Sequence, residues 1–309
     1  MSFLATKREQ LRQWRYNRHS QFKYYNFWRD EHPEEMWFSR FINHYFPDCK
    51  QRINFTSVLG PVEMIDDSRQ GINIFYTGEN IHTDRFSDFL ERYQTQQYDL
   101  SIGFDYDGPG NYIRFPLWVM WHFPPEATHE QIDKICHDMN YPTIGDRPRF
   151  CALVCSHDQS GLRKKIMESL EEVGHVDSAG RYCKNTDILQ TEFADDKPQF
   201  LQQYRFNICP ENSDHTGYVT EKIFDAIKSG CVPIYNGSGN KPEPEVVNKN
   251  AVVFWSNDNN DQEIAQIQNL ENSHETYMHF AHQPRLTPQA PDVVKEYYEL
   301  LYNKLKELI

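Results

Sequence analysis

The chain has 309 residues, of which 39% are hydrophobic, 25% charged and 14% aromatic. That composition excludes a disordered chain, and the length calls for two domains or one large α/β unit. A net charge of −13 argues against the broad positive surface that duplex nucleic acid requires, so no nucleic-acid partner is expected; a few local cations would still hold a small anionic ligand.

The first segment, residues 3–23, carries Lys7, Arg8, Arg12, Arg15, Arg18 and Lys23 against one acid, Glu9, with Leu4, Leu11 and Trp14 near one helical face. It reads as a solvated basic helix, thin on its apolar side, with room for peripheral membrane contact. KYYNFW (23–28) predicts a strand. Residues 34–46 place Trp37, Phe38, Phe41, Ile42 and Tyr45 at helical spacing, stopped by Pro47-Asp48. RINFTSVLG, GINIFYTGEN (71–80) and YDLSIGFD read as further strands, and YIRFPLWVMW as a short strand or loop entering an apolar segment. Alternation of strands and helices argues for a mostly parallel sheet.

Pro and Gly cluster within residues 122–148, which predicts a domain boundary near 145: one domain over 1–145 and another over 146–309. RFCALVCS (149–156) opens the second half as a buried strand, and GLRKKIMESLEEVG (161–174) follows as a helix. YRFNICPENS leads to a helix beginning near Thr220, its apolar stripe formed by Ile223, Ala226 and Ile227, and ended by Gly230. CVPIY is then a buried strand, NGSGN a turn at its carboxyl end and AVVFW (251–255) another strand. The terminal helix, 291–309, is free to pack back on the first domain.

No apolar run is long enough to cross a bilayer, and the start of the chain does not read as a signal peptide. The expected location is the cytoplasm, with membrane association left open by the basic helix. The seven cysteines are odd in number and scattered, which fits a reducing compartment better than a disulfide framework. Cys151 and Cys155 sit in an apolar run as buried thiols rather than zinc ligands. Asn54-Phe-Thr and Asn236-Gly-Ser match the glycosylation sequon, but no secretory signal accompanies them.

Chemistry concentrates at three places. In CPENSDHTGYVTEKIF, Thr220 is a plausible N-cap with Glu221 and Lys222 in the first turn. In α/β sheets ligands sit beyond the carboxyl ends of strands, and a helix N-terminus suits phosphate. A lysine there opposes the helix dipole, so Lys222 calls for a partner such as a diphosphate, while Glu221 could accept from ribose hydroxyls. A simply capped helix is the other reading. FYTGEN ends a strand with Gly78-Glu79-Asn80, where Glu79 is either a general base or a turn acid. His82 and Asp84 nearby complete no recognised metal spacing. Arg163 begins a helix at a strand-to-helix edge, either within a solvated basic run or as a second cation for a leaving-group phosphate. The abundant aromatics could line a carbohydrate site, although core packing explains most of them.

YRFNICPENSDHTGYVTEKIFDAIKSGCVPIYNGS resembles the signature of the α1,3/4-fucosyltransferases, glycosyltransferase family 10, and FYTGEN, IGFD…YIRFPL and CALVCS…LR resemble bacterial-type members. The resemblance spans residues 71 to about 240. It implies an α/β fold of the GT-B type, with two Rossmann-like domains facing across a cleft, the first for acceptor and the second for GDP-fucose. It implies an inverting transfer of fucose to N-acetylglucosamine in a lactosamine-type glycan, α1,3 or α1,4. Carried over by motif, Glu79 is the base, Arg163 and Lys222 contact the diphosphate, and Asn212, Tyr218 and Glu221 contact the nucleotide. No metal or other cofactor is required; the partners are GDP-fucose as donor substrate and an oligosaccharide acceptor. Asp105 and Asp107 are runner-up bases. The alternatives are a catalytically weak GDP-sugar-binding protein and a transferase using another sugar nucleotide. Pro210 stands where the family usually has Phe, and Asn236 where an aromatic is usual; the region after Phe104 is one residue shorter than in bacterial relatives.

Overall fold

The computed structural model describes residues 3–28, 31–62, 65, 69–94, 97–108 and 110–309; the side chains of 3–6 and 91–94, and with them Leu4 of the basic helix, lie outside the description. The chain divides into two compact units, Met1–Thr128 with Val294–Ile309, and His129–Val293.

Unit 1 runs α1 (Phe3–Asn17), β1 (Phe22–Tyr25), α2 (Trp37–Tyr45), β2 (Ile53–Thr56), β3 (Ile72–Tyr76), α3 (Ser87–Gln94), β4 (Leu100–Gly103), β5 (Tyr112–Arg114) and α4 (Leu117–His122). Its strands form one sheet in the order β1-β2-β3-β4-β5, each pairing parallel. The sheet is covered on both faces: β2 (INFT) and β4 (LSIG) are buried at every position although apolar and polar or small residues alternate along them, and β3 (INIFY) is buried at all positions but one. The α2 helix buries Phe38, Phe41 and Ile42 at the spacing the sequence predicts, and Phe38 stacks on Phe55 of β2.

Unit 2 runs α5 (His129–Asn140), β6 (Arg149–Leu153), α6 (Leu162–Leu170), β7 (Val176–Ser178), α7 (Ile188–Thr191), α8 (Lys197–Leu201), β8 (Tyr204–Ile208), α9 (Glu221–Lys228), β9 (Val232–Tyr235), β10 (Val253–Phe254), α10 (Asp261–Asn272) and α11 (His274–Ala281). The strand order is β10-β9-β8-β6-β7, again parallel throughout. Cys151, Leu153, Phe206, Ile208, Val232 and Ile234 make the centre of its core with Ile166 and Leu170 of α6. Burial drives the Cys151 thiol well above its ordinary range, as befits an inert core cysteine.

The two compact units divide at residue 128. The segment from there to 145, whose prolines and glycine predict the domain boundary, holds α5. Ile132, Cys136 and Met139 are buried along one face of it, and Leu286 N donates to Asn140 Oδ1 at its end, which ties α5 into unit 2. The last helix, α12 (Ala290–Leu308), lies in unit 1 from Val294 onward. There Tyr298 OH donates to Pro124 O (2.7 Å), and Tyr302 stacks on Phe46.

Both sequons sit in paired structure. Asn54 is buried in β2 with its amide bonded to Gln70 O and Asn73 Oδ1, and Asn236 is buried with its amide donating to Trp255 O. Among the described residues no helix is long and apolar enough to cross a membrane.

Candidate active site

In unit 2 the parallel strands deliver their following loops to one edge of the sheet, where β6 leads to α6, β8 to α9, and β9 to the turn at Asn236 to Asn240. The β8 loop is fixed by a carboxylate that the motif reading passed over. Glu211 is 5% exposed; its Oε1 accepts from Thr220 N (2.8 Å) and its Oε2 from Thr220 Oγ1 (2.7 Å) and Lys222 Nζ (3.2 Å). Tyr235 OH at the end of β9 donates to Oε1 at 3.4 Å, and Glu211 N donates to Asn236 O (2.9 Å). One side chain thus joins the end of β9 to the start of α9. The signal in the sequence was an acid three residues past the end of a buried strand, the first of two, with Asp214, before the helix begins.

Thr220 stands at the N-cap of α9, as its sequence predicts, but makes no side-chain cap; its hydroxyl is committed to Glu211 and accepts from Lys222 Nζ (2.8 Å). The helix ends at Gly230, whose φ of 76° closes the turn and whose missing Cβ leaves room for the Arg147 guanidinium.

Lys222 therefore has a partner within the chain. Its ammonium lies 3.2 Å from Glu211 Oε2 and 3.5 Å from Glu221 Oε1. Burial alone would lower its pKa, but Glu211 and Glu221 together outweigh burial and the nearby Arg163, and hold it above the ordinary lysine range. Burial likewise works to raise the Glu221 carboxyl, and the ammonium groups of Lys222 and Lys197 together hold it below the ordinary range. Both groups keep their charge.

Arg163, at the start of α6, is 4% exposed. Its Nη2 donates to Asn212 Oδ1 (2.9 Å) and Pro210 O (3.0 Å), and its Nη1 to His157 O (2.5 Å). The reading of Arg163 as part of a solvated run is thereby corrected: of Arg163-Lys164-Lys165, the guanidinium alone turns inward to fasten the β6 loop to the β8 loop. The contact at Pro210 uses the main-chain carbonyl, so the family's usual phenylalanine there is not needed for it. Tyr218 is buried, its N–H donating to His215 O. Arg163, Asn212, Glu221 and Lys222 all belong to this one edge, linked through Asn212 and Glu211.

In unit 1, Glu79 lies on the loop after β3, half-buried. Thr77 Oγ1 donates to Glu79 O (2.8 Å) and accepts from Glu79 N (3.1 Å), closing a tight turn. Gly78 is packed so closely that a Cβ would sit 3.1 Å from Leu117 of α4 and 3.2 Å from Trp28. Asp105, on the adjacent loop after β4, accepts from His82 Nε2 at 2.9 Å, and Asp107 is exposed. Asp84 is exposed on a 3₁₀ turn.

The family models match both halves. The model described as "Glycosyltransferase family 10 (fucosyltransferase) C-term" matches residues 145–298, and that of the "Alpha-(1,3)-fucosyltransferase FucT N-terminal domain" matches 22–121. The α-(1,3)-fucosyltransferase FucT of Helicobacter pylori is 28% identical over 221 residues, 63% of this chain and 43% of that protein. GDP-fucose protein O-fucosyltransferase 3 of Xenopus laevis is 31% identical over 129 residues, 40% of this chain and 28% of its own length. The chain thus spans less than half the length of these curated relatives. A crystal structure of an α1,3-fucosyltransferase superposes with a TM-score of 0.59 at 21% identity, covering 91% of this chain and 89% of that one. TarM superposes at 0.51 and 11% identity, over 83% of this chain and 54% of its own. These likenesses give the fold, an α/β arrangement of the GT-B type. With its two halves matched by the two models of one family, the chain belongs to glycosyltransferase family 10, the fucosyltransferases.

Proposed function

We propose that the chain transfers L-fucose from GDP-fucose to a hydroxyl of N-acetylglucosamine in a lactosamine-type glycan, in α1,3 or α1,4 linkage with inversion. The observation that carries this reading is the gathering of Arg163, Asn212, Glu221 and a charged Lys222 at the carboxyl edge of the unit 2 sheet. Arg163 and Lys222 offset the charge that grows on the departing GDP, Asn212, Tyr218 and Glu221 contact the nucleotide, and the reading calls for no cofactor. In unit 1, Glu79 takes the acceptor hydroxyl proton as the oxygen attacks the anomeric carbon; the bond from that carbon to the diphosphate oxygen breaks, and GDP leaves with the electron pair. The relative named for protein O-fucosylation makes a serine/threonine peptide the control acceptor. The test is incubation with GDP-fucose and a panel of N-acetylglucosamine, N-acetyllactosamine and that peptide, with linkage analysis. Fucose on position 3 or 4 of N-acetylglucosamine is expected. GDP binding with no transfer to any acceptor favours a binding protein, and transfer from GDP-mannose in preference to GDP-fucose favours another donor.

The basic helix is read as a peripheral membrane contact. Lys7, Arg8, Arg12 and Arg15 are exposed on α1 together with Leu11 and Trp14, and Arg18 is exposed just past its end. Each cation near an anionic bilayer contributes about 1 kcal/mol at low salt, and interfacial Trp adds to it. The protein should float with phosphatidylglycerol-containing liposomes and not with phosphatidylcholine alone, and removal of residues 1–22 should abolish flotation. Absence of flotation with the phosphatidylglycerol-containing liposomes would end the membrane reading.

A further inference from the structure

The turn after β9 is left-handed along a run of residues: Ser238, Gly239 and Asn240 have φ of 51°, 58° and 55°. Glycine enters that region freely and asparagine tolerates it, whereas serine is strained there. Such a run persists where its surroundings fix it. The β8 loop fixes it from one side. Glu211 N donates to Asn236 O (2.9 Å), Gly217 N to Ser238 Oγ (3.0 Å) and Gly239 N to Asp214 Oδ1 (2.8 Å). From the other side the Asn236 and Asn240 amides donate to Trp255 O, at 2.8 Å and 3.0 Å. Asn236 and Ser238 are buried, while Asp214 and Gly239 are exposed. The Asp214 bond grips the middle of the run, and its acceptor is a charged carboxylate, which makes it stronger than a neutral pair.

Asp214 stands two residues after Asn212 and eight before Lys222, on the loop that carries both to the edge of the sheet. A carboxylate on a loop that receives an anionic ligand repels that ligand, so it needs a use that offsets the repulsion. We propose that Asp214 is a positioning residue for the donor: by holding Gly239 it keeps the 238–240 turn seated on the β8 loop, and so keeps Asn212, Tyr218 and Lys222 in the arrangement that binds GDP. This rests on the reading of that edge as the GDP-fucose site, and adds to it a residue that acts through the turn and not on the nucleotide. The two effects of Asp214 have opposite signs. Loss of its charge alone strengthens the binding of a diphosphate, whereas loss of the clasp weakens it.

The test is calorimetric titration of the full chain with GDP, beside the thermal midpoint of the ligand-free protein. Asp214→Ala should weaken GDP binding by about tenfold. Asp214→Asn keeps an oxygen for Gly239 N and loses the charge, so it should bind GDP at least as tightly as the wild type. A Cβ on Gly239 would meet nothing within 4 Å, so substitutions there test the left-handed backbone alone. Gly239→Asn should keep affinity, and Gly239→Val should lose about as much as Asp214→Ala. The midpoint should stay at the wild-type value in both Asp214 variants, because the bond lies at the surface. Unchanged or tighter GDP binding in Asp214→Ala overturns the clasp. Equal losses in Asp214→Ala and Asp214→Asn also overturn it, since the carboxylate would then touch the ligand itself. So does a loss of affinity that comes with a lowered midpoint, which would make Asp214 a stability residue. Failure of the GDP reading shows separately, as no GDP bound by the wild-type protein or as unchanged affinity in Lys222→Ala.

Discussion

Replacing Glu79 by Gln is expected to lower fucose transfer by about 10²–10⁴-fold while affinity for GDP stays at its wild-type level. The loss follows from the proposed role, since an amide cannot accept the acceptor proton. The retention follows from location: the groups proposed to hold GDP belong to unit 2, and Glu79 belongs to unit 1. The turn itself should survive the change, because it is closed by main-chain bonds to Thr77 Oγ1 and by packing of Gly78 on Leu117 and Trp28, none of which uses the carboxylate. Wild-type turnover in Glu79→Gln would remove the assignment. Asp105→Asn is the companion variant. Asp105 is engaged by His82 and should matter chiefly through the loop it anchors, so a collapse of kcat in Asp105→Asn alone would transfer the role to it.

Glu211→Gln should have the largest effect on unit 2. Removing one member of a buried ion pair costs about 3–5 kcal/mol, because the remaining charge is left without compensation. Here the remaining charge is Lys222, which would keep only Glu221 against burial and the repulsion of Arg163. The pH dependence distinguishes this from simple damage. In the wild-type protein the folded pKa of Lys222 lies above its ordinary value near 10.5, so its stabilisation is fully present below that value and is lost only as pH rises through the still higher folded one. Across the neutral range this contribution should be constant in the wild type. In Glu211→Gln burial prevails and the folded pKa drops below the ordinary value. Stability should then rise with pH through that lowered pKa, while GDP affinity falls as the ammonium discharges. Calorimetric titration of GDP at neutral and at mildly alkaline pH measures it. A variant with wild-type GDP affinity at both would show that Glu211 does not govern Lys222.

Much of the fold was legible because both sheets are parallel and doubly covered. Their strands are short and bounded by turn residues, mostly apolar as in INIFY and VPIY or alternating as in YRFNI, and the helices between them carry apolar stripes. Pro124-Pro125 and Pro142 flank α5, and between them Ile132, Cys136 and Met139 carry the helical period. The compact units divide at residue 128, before α5, and the family model of the second half begins at 145, beyond α5. Prolines mark where regular structure stops, whereas the unit a helix joins depends on what its apolar face meets.

For the candidate site, the sequence by itself determined which charged and polar residues stand at strand-to-helix edges: Glu79 after β3, Arg163 at the start of α6, and Asn212, Glu221 and Lys222 around the start of α9. Spacing suffices for that, because in a parallel sheet every strand releases its next residue at the same edge. Only the tertiary structure decided which of those charges face one another. Glu211 caps Lys222 and Thr220 from a loop nine residues away from Thr220, and Arg163 reaches Asn212 across forty-nine residues of sequence. Those pairings follow from strand order and burial. Two neighbouring strands carry their loops together, and a carboxylate or guanidinium enclosed there must be met by opposite charge or donors, which no local pattern encodes.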